Sequence, residues 1–208
     1  MSMDEKKFTQ FKESMEFRFK LSLEELFIVV GEKHNREGLK ETPDRFLKAF
    51  DFWCKGYKEK PEDVLKVFQD GVGENNTDEM IFQANIPIYS LCEHHLAPFF
   101  GVAHIAYMPD GMVLGLSKLA RVADIFARRL QTQERLTAQI ADTLMDKPLN
   151  PRGVGVILQM RHMCMESRGV QKQGTVTTTS ALRGVLKADP EVRAEFMSLL
   201  NSVRRTSV

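Results

Sequence analysis

The succession of periodic patterns between residues 80 and 186 restricts the fold more than any other feature of this chain. Met80 to Leu91 reads as a strand, with Pro87 marking an edge or a bulge within it. Phe99 to Met108 reads as a second strand, closed by the turn signal Pro109-Asp110-Gly111. Two helical segments follow. Ser117 is placed as the cap of a helix to about Leu130, with Leu119, Val122, Ala123 and Phe126 on one face. Thr132 opens another to about Met145, with Leu136, Ile140 and Leu144 directed inward. Val154 to Met165 and Thr175 to Leu186 then read as two further strands. The order strand, strand, helix, helix, strand, strand predicts an α+β domain, an antiparallel sheet with helices on one face.

The flanks have a different character. Residues 1–20 mix charge with phenylalanine and read as a weakly ordered or partner-docked arm. Ser22-x-x-Glu25 has the form of a capping box and opens a helix through about His34. Thr42-Pro43 starts another, whose apolar residues Phe46, Leu47, Ala49, Phe50 and Trp53 share a face before Gly56. Pro61 opens a short helix to Phe68, and Asp70 to Asp78, rich in Gly and Asn, reads as a loop. The boundary falls there, giving an N-terminal helical extension over 1–78 and a main domain over 79–208. Asp189-Pro190 starts a terminal helix.

Between the first two strands lies Ser90-Leu91-Cys92-Glu93-His94-His95-Leu96-Ala97-Pro98, which concentrates one of the three cysteines and two of the five histidines. Cys92 and His95 have the Cys-x2-His spacing that lets a thiolate and an imidazole reach one metal ion. There is no second pair of that kind, only His162-Met163-Cys164 farther along. Cys92, His95 and Cys164 make three ligands, and a fourth position left to water is the form of a catalytic metal site. The competing reading is that each cysteine is a small buried apolar residue, and for Cys54, in Phe50-Asp51-Phe52-Trp53-Cys54, packing is the better account. On a continuous strand His162 and Cys164 point the same way, which sets a second imidazole beside the metal. His94 and His162 are then proton-transfer groups, although spacing alone leaves open which of His94, His95 and His162 is the ligand.

Composition excludes several classes of function. With 43% hydrophobic and 27% charged residues and a net charge of +1, no global field draws the chain to nucleic acid or to a membrane surface. Runs such as Leu26 to Val30 are too short to span a bilayer. Met1 to Lys7 lacks the apolar core of a signal peptide. An odd number of irregularly spaced cysteines argues for a reducing, cytoplasmic setting in which thiolates stay free.

Any anion must therefore be held by a local group. Ser117-Lys118-Leu119-Ala120-Arg121 opens a helix whose free N–H groups and dipole favour one, and Lys118 and Arg121 add charge. Arg168, just past Cys164, brings a third cation. A solvated surface face is the competing reading for Lys118 or Arg121 taken alone. Gln133-Glu134 starts the next helix. Glu134 suits a helix start, and a carboxylate beside an amide can also read a purine's N–H and carbonyl edge.

Together, Cys92-Glu93-His94-His95, Gly115 to Arg121, Gln131 to Thr137 and His162 to Gly169 resemble the GTP cyclohydrolase I family, in the family's order and over roughly residues 22–205. The resemblance implies a zinc enzyme that opens the guanine imidazole ring of GTP, giving formate and 7,8-dihydroneopterin triphosphate. It implies zinc ligands at Cys92, His95 and Cys164, acid–base histidines at His94 and His162, and Ser117 near the ribose and phosphates. Gln133 and Glu134 match the guanine-reading pair. Lys118, Arg121 and Arg168 match triphosphate contacts, as does Arg45, supplied by a neighbouring subunit. The fold implied is the tunnelling fold, whose sheet edges join around a ring, with two pentamers stacking into a decamer and active sites between subunits. Such closure resolves the unpaired edges of a lone antiparallel sheet. Two alternatives remain at this level: a tunnelling-fold nitrile reductase with a cysteine nucleophile and no metal, and a non-catalytic zinc protein that kept the scaffold. Both non-ligand histidines together with Glu134 argue against the second, and a zinc assay separates the first.

Overall fold

The computed structural model describes residues 5–69 and 79–206, so the expected loop at 70–78, with its boundary, lies outside the described residues. The chain divides into two compact units, Met1–Phe52 and Trp53–Val208.

In the first unit, α1 (Glu5–Val29) is a single helix where the sequence suggested an arm followed by a helix start at Ser22. No glycine or proline interrupts Glu5 to Val29, and local bonds support the early turns, with Thr9 donating to the Glu5 carbonyl at 3.0 Å and Lys12 paired with Glu16 at 3.8 Å. The Ser22-x-x-Glu25 pattern thus falls inside a helix already under way. The helix closes at Gly31, whose φ of +84° suits glycine and whose N–H reaches the Ile28 carbonyl at 2.9 Å. A short α2 (Glu37–Lys40) precedes α3 (Thr42–Trp53). Phe19 of α1 stacks on Phe46 of α3 with ring centroids 5.3 Å apart, and Lys20 pairs with Asp44 at 2.6 Å.

The second unit holds, after a 3-10 turn at Lys55–Tyr57, α4 (Pro61–Val64), β1 (Val67–Phe68), β2 (Ile81–Cys92), β3 (Pro98–Met108), β4 (Val113–Leu114), α5 (Ser117–Ala127), β5 (Leu130–Gln131) and α6 (Gln133–Met145). It continues with β6 (Gly153–His162), α7 (Met163–Glu166), β7 (Thr177–Gly184), α8 (Val185–Ala188) and α9 (Pro190–Thr206). The main sheet has the order β5-β2-β3-β6-β7, antiparallel except where the two residues of β5 lie parallel to Leu91 and Cys92. This is the α+β architecture read from the sequence.

Alternation along the strands sends side chains to two faces. Ala103, Ile105 and Tyr107 of β3 and Val154, Val156, Leu158 and Met160 of β6 pack with Leu119, Val122, Leu136, Ile140 and Leu144 of α5 and α6. Ala106, Met108 and Ile157 face the other way, and there Phe196 and Leu200 of α9 cover them. The central helices thus occupy one face as expected, and the terminal helix adds cover on the opposite one. Asp189 caps it, its carboxylate accepting from Glu191 N at 2.8 Å.

Three details bear on the site. β2 carries its bulge between Gln83 and Ile86, with Asn85 at a φ of 55°. Pro87 follows on the stretch that β5 does not cover, and an open edge tolerates a missing N–H. The helix expected to reach Leu130 stops at Ala127, because Leu130 and Gln131 pair with the end of β2. The strand expected to reach Met165 stops at His162, opposite Phe99. β3 begins at Pro98, so nothing remains for β6 to pair with, and Cys164 sits on the helical turn α7.

β3 and β6 approach so closely at Gly101 that an added Cβ would meet the Gln159 carbonyl oxygen at 2.0 Å. Backbone cannot yield as a side-chain tip does. Gly101→Ala should therefore lose stability at the upper end of the about 1–3 kcal/mol typical of overpacking, read as a lower melting temperature. An unchanged melting temperature would show that this ladder is looser than described.

Candidate functional site

The Cys-Glu-His-His loop is built by a tight turn at the end of β2. The Cys92 carbonyl accepts from His95 N at 3.3 Å and Leu96 N at 2.8 Å, and Cys92 N donates to the Ala97 carbonyl at 2.9 Å. Leu96 closes the turn at a φ of 52°, a left-handed conformation costing a branched residue about 1–2 kcal/mol. The turn folds His95 back, so its Nδ1 lies 3.6 Å from Cys92 Sγ, while His94 Nδ1 lies at 4.0 Å. Ligand atoms of Cys92, His94 and His95 all fall within 4.8 Å of one another, a group able to hold a metal ion. Cys92 is buried, and the His94 side chain is 64% exposed.

Cys164 arrives from α7, outside the compact group of Cys92, His94 and His95 but near enough to Cys92 for the two thiols to influence each other. Burial pushes the Cys164 thiol up, the Cys92 neighbour adds to this, and the charge of Arg168 acts in the opposite sense. The inference of parallel His162 and Cys164 side chains on one strand fails, since only His162 is on the strand. The chain nevertheless brings both to this corner. His162 stacks on Phe99 with centroids 4.7 Å apart and planes 7° from parallel. Its Nε2 lies 2.8 Å from Gln133 Oε1. Burial lowers the His162 pKa, and the charge of Glu134 partly opposes that.

Gln133, at the start of α6, is only 2% exposed. Its side-chain amide is occupied by the protein's own groups. Nε2 lies 3.0 Å from both the Thr177 carbonyl and Thr179 Oγ1, and 3.3 Å from the Leu158 carbonyl. Thr132 caps the same helix through Arg135 N at 3.3 Å, as expected. Glu134 is exposed.

Ser117, Lys118 and Arg121 are not brought to this corner. Ser117 is the first residue of α5, not its cap, and no side chain caps that end. The helix follows Leu114, whose N–H donates to Tyr107 Oη at 2.9 Å near the far end of the β2–β3 pair. It runs towards Leu130, beside Leu91. An 11-residue helix is about 16 Å long, so its basic start stands about one helix length from the Cys92 loop. Arg121 lines a cleft with Ile86 and Pro87 on the open edge of β2. Arg45 belongs to the N-terminal unit, where it pairs with Glu41 at 2.6 Å.

Three residues inside the quoted motifs, Glu93, Arg135 and Glu166, had no role from the sequence. Arg135 Nη2 bonds Glu93 Oε2 and, at 2.8 Å, the Leu130 carbonyl, while Arg135 Nε donates to Gln131 Oε1 at 2.9 Å. Glu93 N donates in turn to the Gln131 carbonyl at 3.0 Å. Arg135 holds the Glu93 carboxyl below the usual range and ties the Cys-His-His turn to α6. The available signal was opposite charge, Glu93 between candidate ligands and Arg135 after the Gln-Glu pair. Likewise Glu166 on α7 is clamped by Arg161, whose Nε donates at 2.8 Å and whose hydrogen bonding lowers the Glu166 pKa.

Comparison with known proteins adds the ancestry of these residues. The sequence profile of the GTP cyclohydrolase I family matches residues 19–201. GTP cyclohydrolase 1 of Campylobacter jejuni (strain RM1221) is 47% identical over 191 residues, 92% of this chain and 98% of that protein. GTP cyclohydrolase 1 of Janthinobacterium sp. (strain Marseille) is 54% identical over 170 residues, 82% of this chain and 84% of that protein. The solved archaeosine synthase QueF-Like, in its apo form, aligns with 50% of this chain and 93% of its own, at 18% identity and a TM-score of 0.40, too weak a likeness to bear on the assignment. No helix among the described residues is long and apolar enough to cross a membrane. With the profile covering most of the polypeptide and full-length relatives near half identity, this chain belongs to the GTP cyclohydrolase I family of hydrolases.

Proposed function

We propose that this chain hydrolyses GTP at C8 of the guanine ring, releases that carbon as formate, and yields 7,8-dihydroneopterin triphosphate with zinc as its metal. The observation that carries this reading is the group Cys92, His94 and His95, whose ligand atoms lie within 4.8 Å of one another, with Cys164 on α7 near enough to feel the Cys92 thiol and His162 at the end of β6 opposite Phe99. The donor set suits zinc. Two thiolates and an imidazole are borderline-soft ligands, and thiolate and imidazole on one tetrahedral zinc stand about 3.5 Å apart. The 3.6 Å from Cys92 Sγ to His95 Nδ1 fits that edge better than the 4.0 Å to His94. Zinc held by these residues would supply a Lewis acid able to bring the pKa of water to near neutrality.

The chain's own groups do the remaining work. His94, exposed beside Glu93, and His162, half-buried on Phe99, are the proton donors and acceptors for the ring nitrogen as the imidazole opens. Glu134 meets the guanine N–H groups, and Arg168 meets a phosphate near Cys164. Ser117, Lys118 and Arg121 contribute to ribose and triphosphate from a second copy, since one chain holds them away from its own Cys92 loop. Arg45 does so from a further neighbour. Pairing of the open β2 edge with another copy's β7 would close the sheets into a ring, two of which stack as a decamer in the cytoplasm.

Incubation of the zinc-loaded protein with GTP, followed by oxidation, should give fluorescent neopterin and equimolar formate. Zinc-bound protein producing neither would exclude the reaction. Arg135→Met should weaken zinc binding about 10–100-fold, as loss of an orienting outer partner usually does, read by chelator competition. Unchanged affinity would mean that the turn needs no tie to α6.

A further inference from the structure

We propose that Gln133 is a positioning residue, whose side-chain amide holds the His162 imidazole in the tautomer protonated on Nε2 and leaves Nδ1 as the ring nitrogen available to substrate. The inference rests on the reading of His162 as a proton-transfer group. It departs from the expectation that the Gln133 side chain reads guanine.

The argument is one of donors and acceptors. Three oxygens surround Gln133 Nε2, those of Leu158 O, Thr177 O and Thr179 Oγ1. Two are main-chain carbonyls, which only accept. The amide therefore has its NH2 towards them, since the reverse orientation would set a carbonyl oxygen against two others. Its Oε1 is then what faces His162 Nε2 at 2.8 Å. An amide oxygen only accepts, so Nε2 carries the hydrogen.

The surrounding hydroxyls fit the same direction. Thr179 Oγ1 accepts from Gln133 and can donate to Thr137 Oγ1 at 2.6 Å, while Thr137 donates to the Gln133 carbonyl at 2.6 Å. Gln133 and Thr137 are both essentially buried, so this chain of bonds cannot readily be exchanged for water. Phe99 fixes the plane of the imidazole and Gln133 fixes its rotation within that plane. Helix α6 and strands β6 and β7 thereby meet at one amide.

The test uses the zinc-loaded protein labelled with 15N-histidine, in solid-state NMR, with His162→Asn identifying the resonances of His162. The expected wild-type spectrum has Nε2 protonated and Nδ1 bare. Protonation on Nδ1 in the wild type would overturn the proposal without recourse to any variant. Gln133→Met, which keeps the length but removes the acceptor, should give a mixture of tautomers. It should also lower kcat for GTP on the order of 100-fold, with zinc content and KM little changed. A rise in KM with kcat and tautomer unchanged would return Gln133 to substrate binding and overturn the proposal. Inactivity of the wild type on GTP would be a failure of the reaction reading, which the nitrogen spectrum does not depend on.

Discussion

Cys164→Ser is expected to abolish bound zinc, neopterin and formate together. The side chain approaches the Cys92 thiol from α7, a different segment from the loop that carries the other ligands. Serine is close to cysteine in volume, so the fold should survive, but a neutral hydroxyl does not replace a thiolate on zinc. Cys164 is also the member of the proposed set that can tell it from its neighbour. Cys92, His94 and His95 alone form a compact trio within 4.8 Å, and if they were the ligands, Cys164→Ser would keep its metal. Metal analysis alongside the product assay separates these cases, and full zinc with full turnover would remove Cys164 from the site altogether.

The complementary substitution is His94→Ala. Here the expectation is retained zinc with ring opening slowed about 10²–10⁴-fold, the usual contribution of a positioned acid or base. The side chain is 64% exposed, so its removal should change stability by no more than about 0.5 kcal/mol. A loss of activity can then be read as chemistry. Loss of zinc in His94→Ala would make His94 a ligand and move His95 towards the proton-transfer role. Unaltered turnover would deprive His94 of both.

The sequence was most informative where local chemistry and the final structure agree. Thr132 before the Leu136, Ile140 and Leu144 stripe marks a helix start that the structure keeps, cap included. The strands read at 80–91 and 99–108 are also found, at Ile81–Cys92 and Pro98–Met108. It misled where a long-range pairing decides. Leu130 continues the apolar pattern of α5 yet belongs to β5, because the end of β2 lies beside it. Met163 to Met165 look like strand, but β3 has no residue left to pair with them once Pro98 is passed. In the first unit the Ser22 signal was valid chemistry in the wrong place, since nothing earlier breaks α1.

The same division applies to the candidate site. Cys92, His95 and Cys164 stood out because cysteine and histidine are scarce, and rarity is visible in one dimension. Gln133 was noticed for its neighbour Glu134, but its burial against Leu158, Thr177 and Thr179 depends on three elements meeting. Arg135 and Glu93 were unremarked for a similar reason, being 42 positions apart and joined only when α6 packs near the loop. Ser117, Lys118 and Arg121 show the converse. Their basic character was legible, while their distance from the Cys92 loop follows from the direction in which α5 runs.

The most direct test of the central claim is the X-ray absorption fine structure of the zinc-loaded protein at the zinc edge. Ligation by Cys92, His95 and Cys164 predicts two sulfurs at about 2.3 Å, one imidazole nitrogen at about 2.0–2.1 Å and one further light atom that is not from a side chain. A single sulfur with two imidazoles, or a shell filled by four side chains, would contradict it.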